Sequence, residues 1–255
     1  MLIVGLTGGI ATGKSTASLA LSERSIPIID ADRIAHELMQ PGETSFRLVV
    51  KHFGTDVLDS DGKIDRGKLG GIIFNDAAKR QLLNRCTHPY VRRRMLWELL
   101  RHYVSGHRVC ILDVPLLYEA GMDKLCGRVL VIGCSRQTQV ARLMGRNGFT
   151  RAEAEARVDA QMSLDEKRAR ADAVVDNEQD MQGMQREVCR VVGGWTPGLL
   201  ATMGALVAPV AAAVAVPWAF TKSALWGVGA LCTCTAYAMS TSVFRKMRKA
   251  RPKTS

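Results

Sequence analysis

The chain has 255 residues, 47% of them hydrophobic, and carries 35 Lys and Arg against 24 Asp and Glu, a formal charge of +11. That length and apolar content exclude an intrinsically disordered chain and accommodate one catalytic domain of about 190 residues with an appendage. The charge does not indicate a nucleic-acid partner: Glu187 is the last acidic residue and eight basic ones follow it, so the body is close to balance and lacks a clustered basic face.

Residues 2–6 form a short, branched apolar run that predicts a strand; the glycine-rich stretch 8–13 breaks it, and helix formers resume over 15–22. Because the run leads straight into that turn, it is part of the fold and no cleaved signal is expected. A second strand is predicted over 26–29, ending at Asp30, followed by a helix over 31–39 that Pro41-Gly42 stops. Residues 45–105 place apolar side chains at helical spacing around a turn at 59–62, which predicts a helical insertion. Strands are predicted over 109–114, closed by Asp113 and Pro115, and over 129–133, the latter leading to a charged helix over 137–144. Val174-Val175 is a last short strand before Asp176-Asn177, and a helix over 181–192 closes the body. This alternation predicts an α/β fold whose parallel sheet is covered by helices.

Residues 193–198 read as a linker. Beyond it the chain is uncharged up to Lys222, and residues 223–244 are again uncharged. As a helix the second run would span about 33 Å, against about 30 Å of bilayer hydrocarbon. The first run would span with kinks at Pro209 and Pro217. Residues 199–244 are therefore expected to anchor the chain as two transmembrane helices turning near 221–223, with the basic tail 245–255 and the body together on the cytoplasmic face. The seven cysteines, odd in number and without a C-x-x-C pair, exclude a disulfide framework and a zinc site and imply a reducing compartment. Cys232 and Cys234 read as small packing residues.

Gly8, Gly13, Lys14 and Ser15 satisfy G-x-x-x-x-G-K-[ST] between a predicted strand and a predicted helix. A triphosphate crowds several anionic oxygens together, so its site needs many donors at close range. Glycines let backbone N–H groups turn inward, and the helix that follows adds the positive end of its dipole. Lys14 is expected on the β and γ phosphates and the Ser15 hydroxyl on Mg²⁺. Asp30 and Asp32 end the second strand, where side chains of an open α/β sheet face the ligand crevice. Asp30 reads as the cap of the next helix and Asp32 as the group that takes a proton from an attacking hydroxyl or supports the metal.

Five blocks in series resemble the dephospho-coenzyme A kinase family over residues 2–192: LTGGIATGKST from Leu6, IDADRIAH from Ile29, IFNDAAKRQLLNRCTHP from Ile73, DVPLLYE from Asp113 and ADAVVDN from Ala171. The resemblance implies a P-loop kinase core, a helical acceptor region near 45–105 and a lid near 137–165, which transfer the ATP γ-phosphoryl group to the ribose 3′-hydroxyl of dephospho-coenzyme A. It implies ATP contacts from Gly8, Gly9, Ile10, Ala11, Thr12, Gly13, Lys14, Ser15 and Thr16, joined by Arg142 and Asn177. Asp32 falls on the family's base, and Asn84, His88, Pro115, Leu116 and Glu119 fall on the acceptor site. Asp113 occupies a Walker-B-like place from which it would hold magnesium through water.

The lid helix carries Arg142 and Arg146 at i, i+4 spacing, and Arg142 is expected over the phosphates during transfer. Lys14, Asp32 and Arg142 are thus the expected catalytic residues. Two places depart from the family: Glu178-Gln179 follows Asn177, where the family commonly has a glycine two places on, and Cys134 stands where an acidic residue is common. The loop by itself also fits another P-loop kinase acting on a nucleoside or nucleotide, or a membrane-tethered nucleotide switch. For the switch, the guanine motif N-K-x-D is absent, and Asp59-Ser60-Asp61-Gly62 matches D-x-x-G only in a turn.

Overall fold

The computed structural model describes residues 1–74, 76–178, 180–199 and 202. The expected membrane segment and basic tail lie almost entirely outside the described residues. Among the described residues no helix is long and apolar enough to cross a membrane.

Five strands, β1 (Leu2–Gly8), β2 (Ile28–Asp30), β3 (Val109–Asp113), β4 (Arg128–Gly133) and β5 (Ala173–Asp176), form one parallel sheet in the order β2-β3-β1-β4-β5. The register sets Leu6 and Asp30 beside Asp113, and Gly8 beside Ile132. β1 is central and its two neighbours come from later in the chain, so the connection leaving β1 meets the point where strand order reverses. That is where open α/β sheets hold ligands, outside the carboxyl ends of the strands.

Alternation within the strands splits the core in two. Val4, Leu6, Val109, Ile111, Leu130, Ile132 and Val175 face α1 (Lys14–Ser22) and α9 (Met181–Trp195), where Ala17, Leu21, Val188 and Val192 close the layer. Ile29, Cys110, Leu112, Val129 and Val131 face the other way, against Ile34 of α2 (Ala31–Leu38) and Met95 and Leu99 of α5 (Ala77–Val104). α9 runs past Val192 to Trp195, so the first residues of the expected linker are helical.

The insertion comprises α3 (Thr44–Phe53), α4 (Arg66–Phe74) and α5, with a small core of Val49, Val57, Leu69 and Cys86. A single bridge between Leu58 and Ile64 pins the turn at 59–62. Pro89 sits inside α5, which continues through it for 28 residues as one helix. The segment expected to be the lid comprises α6 (Arg136–Asn147) and α7 (Arg151–Asp159), and a short helix α8 (Leu164–Arg170) leads from it to β5. Val140, Leu143 and Ala154 form the lid's own core, and Ile10 and Ala11 of the loop after β1 pack on it, so lid and loop are one packed unit.

The five described cysteines are buried and none forms a disulfide. Burial pushes the Cys110 thiol up to about 12 and the Cys134 thiol up to about 11, which keeps both protonated at neutral pH and fits packing rather than reactivity.

Candidate functional site

α1 starts on Gly13, whose φ of +92° lies in the left-handed region and which offers no capping side chain. Two constraints make this position glycine. An L side chain is strained at that φ, and a Cβ there would stand 2.2 Å from Nδ2 of Asn177. The uncapped helix start therefore presents N–H groups and a positive dipole end to the crevice. Thr12 is buried and its hydroxyl donates to the Gly9 carbonyl at 2.9 Å, which closes the turn from inside.

Lys14 forms an ion pair with Asp113, which is only 3% exposed at the end of β3. Burial pushes the Asp113 carboxyl up, the Lys14 ammonium pulls it back, and the neighbouring charge of Asp30 adds to the rise. Asp30 caps α2, accepting from the N–H groups of Asp32 at 2.9 Å and Arg33 at 3.0 Å. Asp32 follows in the first turn of α2. Burial raises its carboxyl, and the Lys14 ammonium is close enough to oppose that rise. Lys14, Asp32 and Asp113 are thus one electrostatic unit at the ends of three adjacent strands. Ser15 and Asp113 line a common cleft of about 560 Å³ with Asp30 and Arg33.

These donors fit magnesium. A hydroxyl and a carboxylate are hard oxygen ligands, too few to cage a cation, as suits an ion that keeps its waters and takes phosphate oxygens. Among the described residues no cluster of three or more His, Cys, Asp or Glu is built to hold a metal.

Asp32 opens on a cleft of about 640 Å³ between α2 and the insertion, lined also by His36, Gln40, Asp59, Lys63 and Arg66. Arg66 contacts Nδ1 of His36 across this cleft. Sequence reasoning passed over Lys63 and Arg66 because they sit just after a polar turn and at a helix start. Only the fold of the insertion brings them to Asp32. Asn84 and His88 are placed differently from expectation. They line a separate cleft of about 630 Å³ on the outer flank of α5 with Arg85, Pro89, Arg92 and Arg93, whereas Leu83 faces the Asp32 cleft. One continuous helix turns adjacent residues to opposite sides, so this structure does not bring Asn84 and His88 to Asp32. Partial burial and the Arg92 charge hold the His88 imidazole below its usual value.

Arg142 also differs from expectation. Its guanidinium donates to the carbonyls of Ala11 at 3.4 Å, Asn177 at 2.9 Å and Glu178 at 3.1 Å. Asn177 is 5% exposed and donates from Nδ2 to the Thr12 carbonyl at 2.9 Å. Gln139 of α6 donates to the Ile10 carbonyl at 2.8 Å. Together these three side chains fasten the phosphate loop to the lid and to the segment after β5. In this structure the donors of Arg142 are directed at backbone carbonyls. Arg146, expected on the same face, bonds Oδ1 of Asn147 instead. Arg142→Ala is expected to raise KM for ATP about tenfold, a loss near 1.4 kcal/mol, while kcat stays within about threefold. Steady-state kinetics separate this from a phosphate contact made only during transfer, which would lower kcat instead.

Glu178 accepts from Thr138 Oγ1 at 2.8 Å and from the Ser135 N–H. Those bonds hold its carboxyl below the usual range and tie the segment after β5 to the start of the lid helix.

The residue that sequence reasoning missed altogether is Lys167 of α8. Its side chain is 0% exposed, and its ammonium meets Glu119 Oε1 at 3.1 Å, the Gly8 carbonyl at 3.3 Å and the Pro115 carbonyl at 3.4 Å. Glu119 also accepts from the Met162 N–H at 3.3 Å, and Thr7 Oγ1 donates to the Pro115 carbonyl at 2.8 Å. Pro115 and Glu119 are thus wall elements held by this cation, while Leu116 is exposed beside them. A lysine in a charged run such as Asp165 to Arg170 reads as solvated, and only tertiary contact shows it buried. Lys167→Met is expected to cost about 2–4 kcal/mol, since the Glu119 carboxylate loses its buried counter-charge and the Gly8 and Pro115 carbonyls lose a donor, although Met162 N–H and Thr7 Oγ1 still serve Glu119 and Pro115. Urea denaturation checks this through the midpoint.

The comparisons with known proteins agree with this architecture. The family model of dephospho-CoA kinase matches residues 2–183. A dephospho-CoA kinase of Lactobacillus johnsonii is 48% identical over 174 residues, 68% of this chain and 88% of that protein. A dephospho-CoA kinase domain-containing protein of Danio rerio is 45% identical over 192 residues, 75% of this chain and 84% of the relative. Among solved structures, dephospho-CoA kinase from Campylobacter jejuni superposes with a TM-score of 0.59 at 28% identity, covering 76% of this chain and 96% of that one. A Thermus thermophilus protein reaches 0.66 at 30% identity, covering 77% and 98%.

Proposed function

The chain belongs to the dephospho-CoA kinase family, and from that premise we infer that its residues direct the γ-phosphoryl group of ATP to the ribose 3′-hydroxyl of dephospho-coenzyme A, giving coenzyme A and ADP. ATP-dependent phosphorylation of dephospho-CoA is the activity, with Mg²⁺ supplying charge neutralisation at the phosphates when bound. The observation that carries the assignment of residues is the convergence of Lys14, Asp32 and Asp113 at the uncapped start of α1.

In this scheme the loop from Gly8 to Thr16 wraps the triphosphate with backbone N–H groups, and the Lys14 ammonium turns from Asp113 to the phosphate oxygens. Ser15, with Asp113 through water, would hold the metal. The acceptor enters the cleft beside Asp32, where Lys63 and Arg66 supply positive charge for its anionic portion. The 3′ oxygen forms a bond to the γ phosphorus as the bond from phosphorus to the β–γ bridging oxygen breaks. Asp32 takes the hydroxyl proton and ADP leaves. Arg142 and Asn177 keep the loop in its binding shape, and Lys167 keeps Glu119 and the wall at Pro115 in place.

The decisive experiment is a coupled ADP-release assay that offers dephospho-CoA and nucleoside monophosphates in parallel. Turnover restricted to dephospho-CoA, with a product phosphorylated at the ribose 3′ position, supports the reading. Preference for a nucleotide acceptor overturns it.

From hydropathy we also infer that residues 199–244 anchor the protein in a membrane with the kinase body on the cytoplasmic side. Full-length chain that stays with the membrane pellet through alkaline carbonate extraction supports the anchor, and release into the supernatant counts against it.

A further inference from the structure

α5 is apolar on two flanks where a helix at the edge of a domain needs only one. Met95 and Leu99 are buried under the sheet, 2% and 6% exposed. Leu96, Trp97, Leu100 and Val104 lie on the outer face, 52%, 61%, 51% and 66% exposed. Spacings of three, four and seven residues gather the outer four into one stripe. Exposed arginines border it: Arg92 and Arg93 on the turn before, Arg101 alongside. Glu98 is the single acidic residue of α5, and Arg94 pairs with it at 3.5 Å.

The position of this stripe gives it meaning. α5 ends four residues before Arg108, whose Nε donates to the Pro197 carbonyl at 2.7 Å. Trp195 lies under the guanidinium of Arg128, the first residue of β4, at 5.9 Å. Both contacts place the exit of the body at the amino ends of β3 and β4, beside the end of α5. Leu199, just past this exit, is 62% exposed. The phosphate loop, Asp32 and Asp113 lie at the carboxyl ends of the strands, the opposite edge, although the cleft beside Ser15 also runs along β2 to Ile26 and His107.

We propose that the outer face of α5 from Leu96 to Val104, with its arginine border, rests on the surface of an anionic lipid bilayer, into which the chain continues from the adjacent exit. An apolar stripe with a tryptophan and a basic rim is the composition that seats a helix in the interface plane, with the rim drawn to anionic headgroups. This orientation turns the phosphate loop and Asp32 toward the aqueous phase. A second copy of the chain fits less well, because a two-fold pairing through this face sets like-charged arginine rims against each other.

The proposal rests on the anchoring reading, and one experiment separates the two. Full-length protein carries benzoylphenylalanine in place of Leu100, or in place of Met144 on the lid as a control. Each is mixed with phosphatidylcholine vesicles with and without phosphatidylserine, floated and irradiated. The expected result is co-flotation of both proteins, lipid adducts at position 100 but not at 144, and about fivefold less adduct without phosphatidylserine or at high salt. Co-flotation without lipid adducts at position 100 overturns the surface assignment while the anchor stands. Chain-to-chain adducts at position 100 overturn it in favour of a second copy. Failure to float overturns the anchor and this face together.

Discussion

Replacing Lys14 with alanine is expected to lower kcat/KM by about 10²–10³-fold or more, with the fold intact. The ammonium is the one flexible cation in the phosphate loop, and the backbone N–H groups around it cannot follow charge as it builds on the transferring oxygens. Its removal has a second consequence. Asp113 is 3% exposed and its charged form is favoured by that ammonium, so in the variant the carboxyl rises further. Circular dichroism and a urea midpoint near wild type would show that the core survives, since Lys14 contributes nothing to either apolar layer. Ordinary turnover in Lys14→Ala would remove the assignment of the loop.

Asp32→Asn is expected to reduce kcat by about 10²–10⁴-fold, the range of a positioned general base, and to leave KM for ATP little changed. The environment of the carboxyl adds a dependence on pH. Burial raises it above the ordinary aspartate range despite the pull of Lys14. The base acts ionised, so the acid limb of kcat/KM falls at a pH above that range. Stability moves the other way. A carboxyl raised by folding stabilises fully below its unfolded value, and that contribution is lost as pH rises through the folded value. At neutral pH the folded protein therefore holds an unfavoured charge, and Asp32→Asn should melt no lower than wild type while being nearly inactive. A kcat within tenfold of wild type would return Asp32 to a structural role.

These effects rest on positions the chain announces. The phosphate loop was legible because a triphosphate imposes a spacing of glycine, lysine and hydroxyl that few other requirements produce. Asp30 and Asp32 were separable in advance because a strand end followed by a helix needs a cap, and the first carboxylate is the one in reach of the N–H groups of Asp32 and Arg33. The parallel sheet was legible from short apolar runs alternating with helical periods. The helical insertion was legible too, though its internal arrangement was not.

Other residues make contacts that the sequence did not show, or were missed, for identifiable reasons. Arg142 and Asn177 were expected at the nucleotide because basic and amide side chains near a phosphate loop suggest ligand contact. In the structure their donors meet carbonyls of Ala11, Thr12, Asn177 and Glu178. A loop bent to aim its N–H groups inward leaves carbonyls pointing out, and these need donors of their own. Asn84 and His88 depended on which side of α5 faced α2, a matter of helix rotation that sequence order does not specify. Lys167 stood among charged residues and carried no local sign of burial.

What the amino-acid order determined by itself is the chemistry at the crevice and the alternation that builds a parallel sheet, because both follow from local spacing and period. Strand order, the burial of Lys167, the fastening of the loop by Arg142 and Asn177, and the meeting of Arg66 with Asp32 were decided only by tertiary structure. Each of these depends on contact between segments distant in the chain, where packing and charge compensation act and local pattern has no reach.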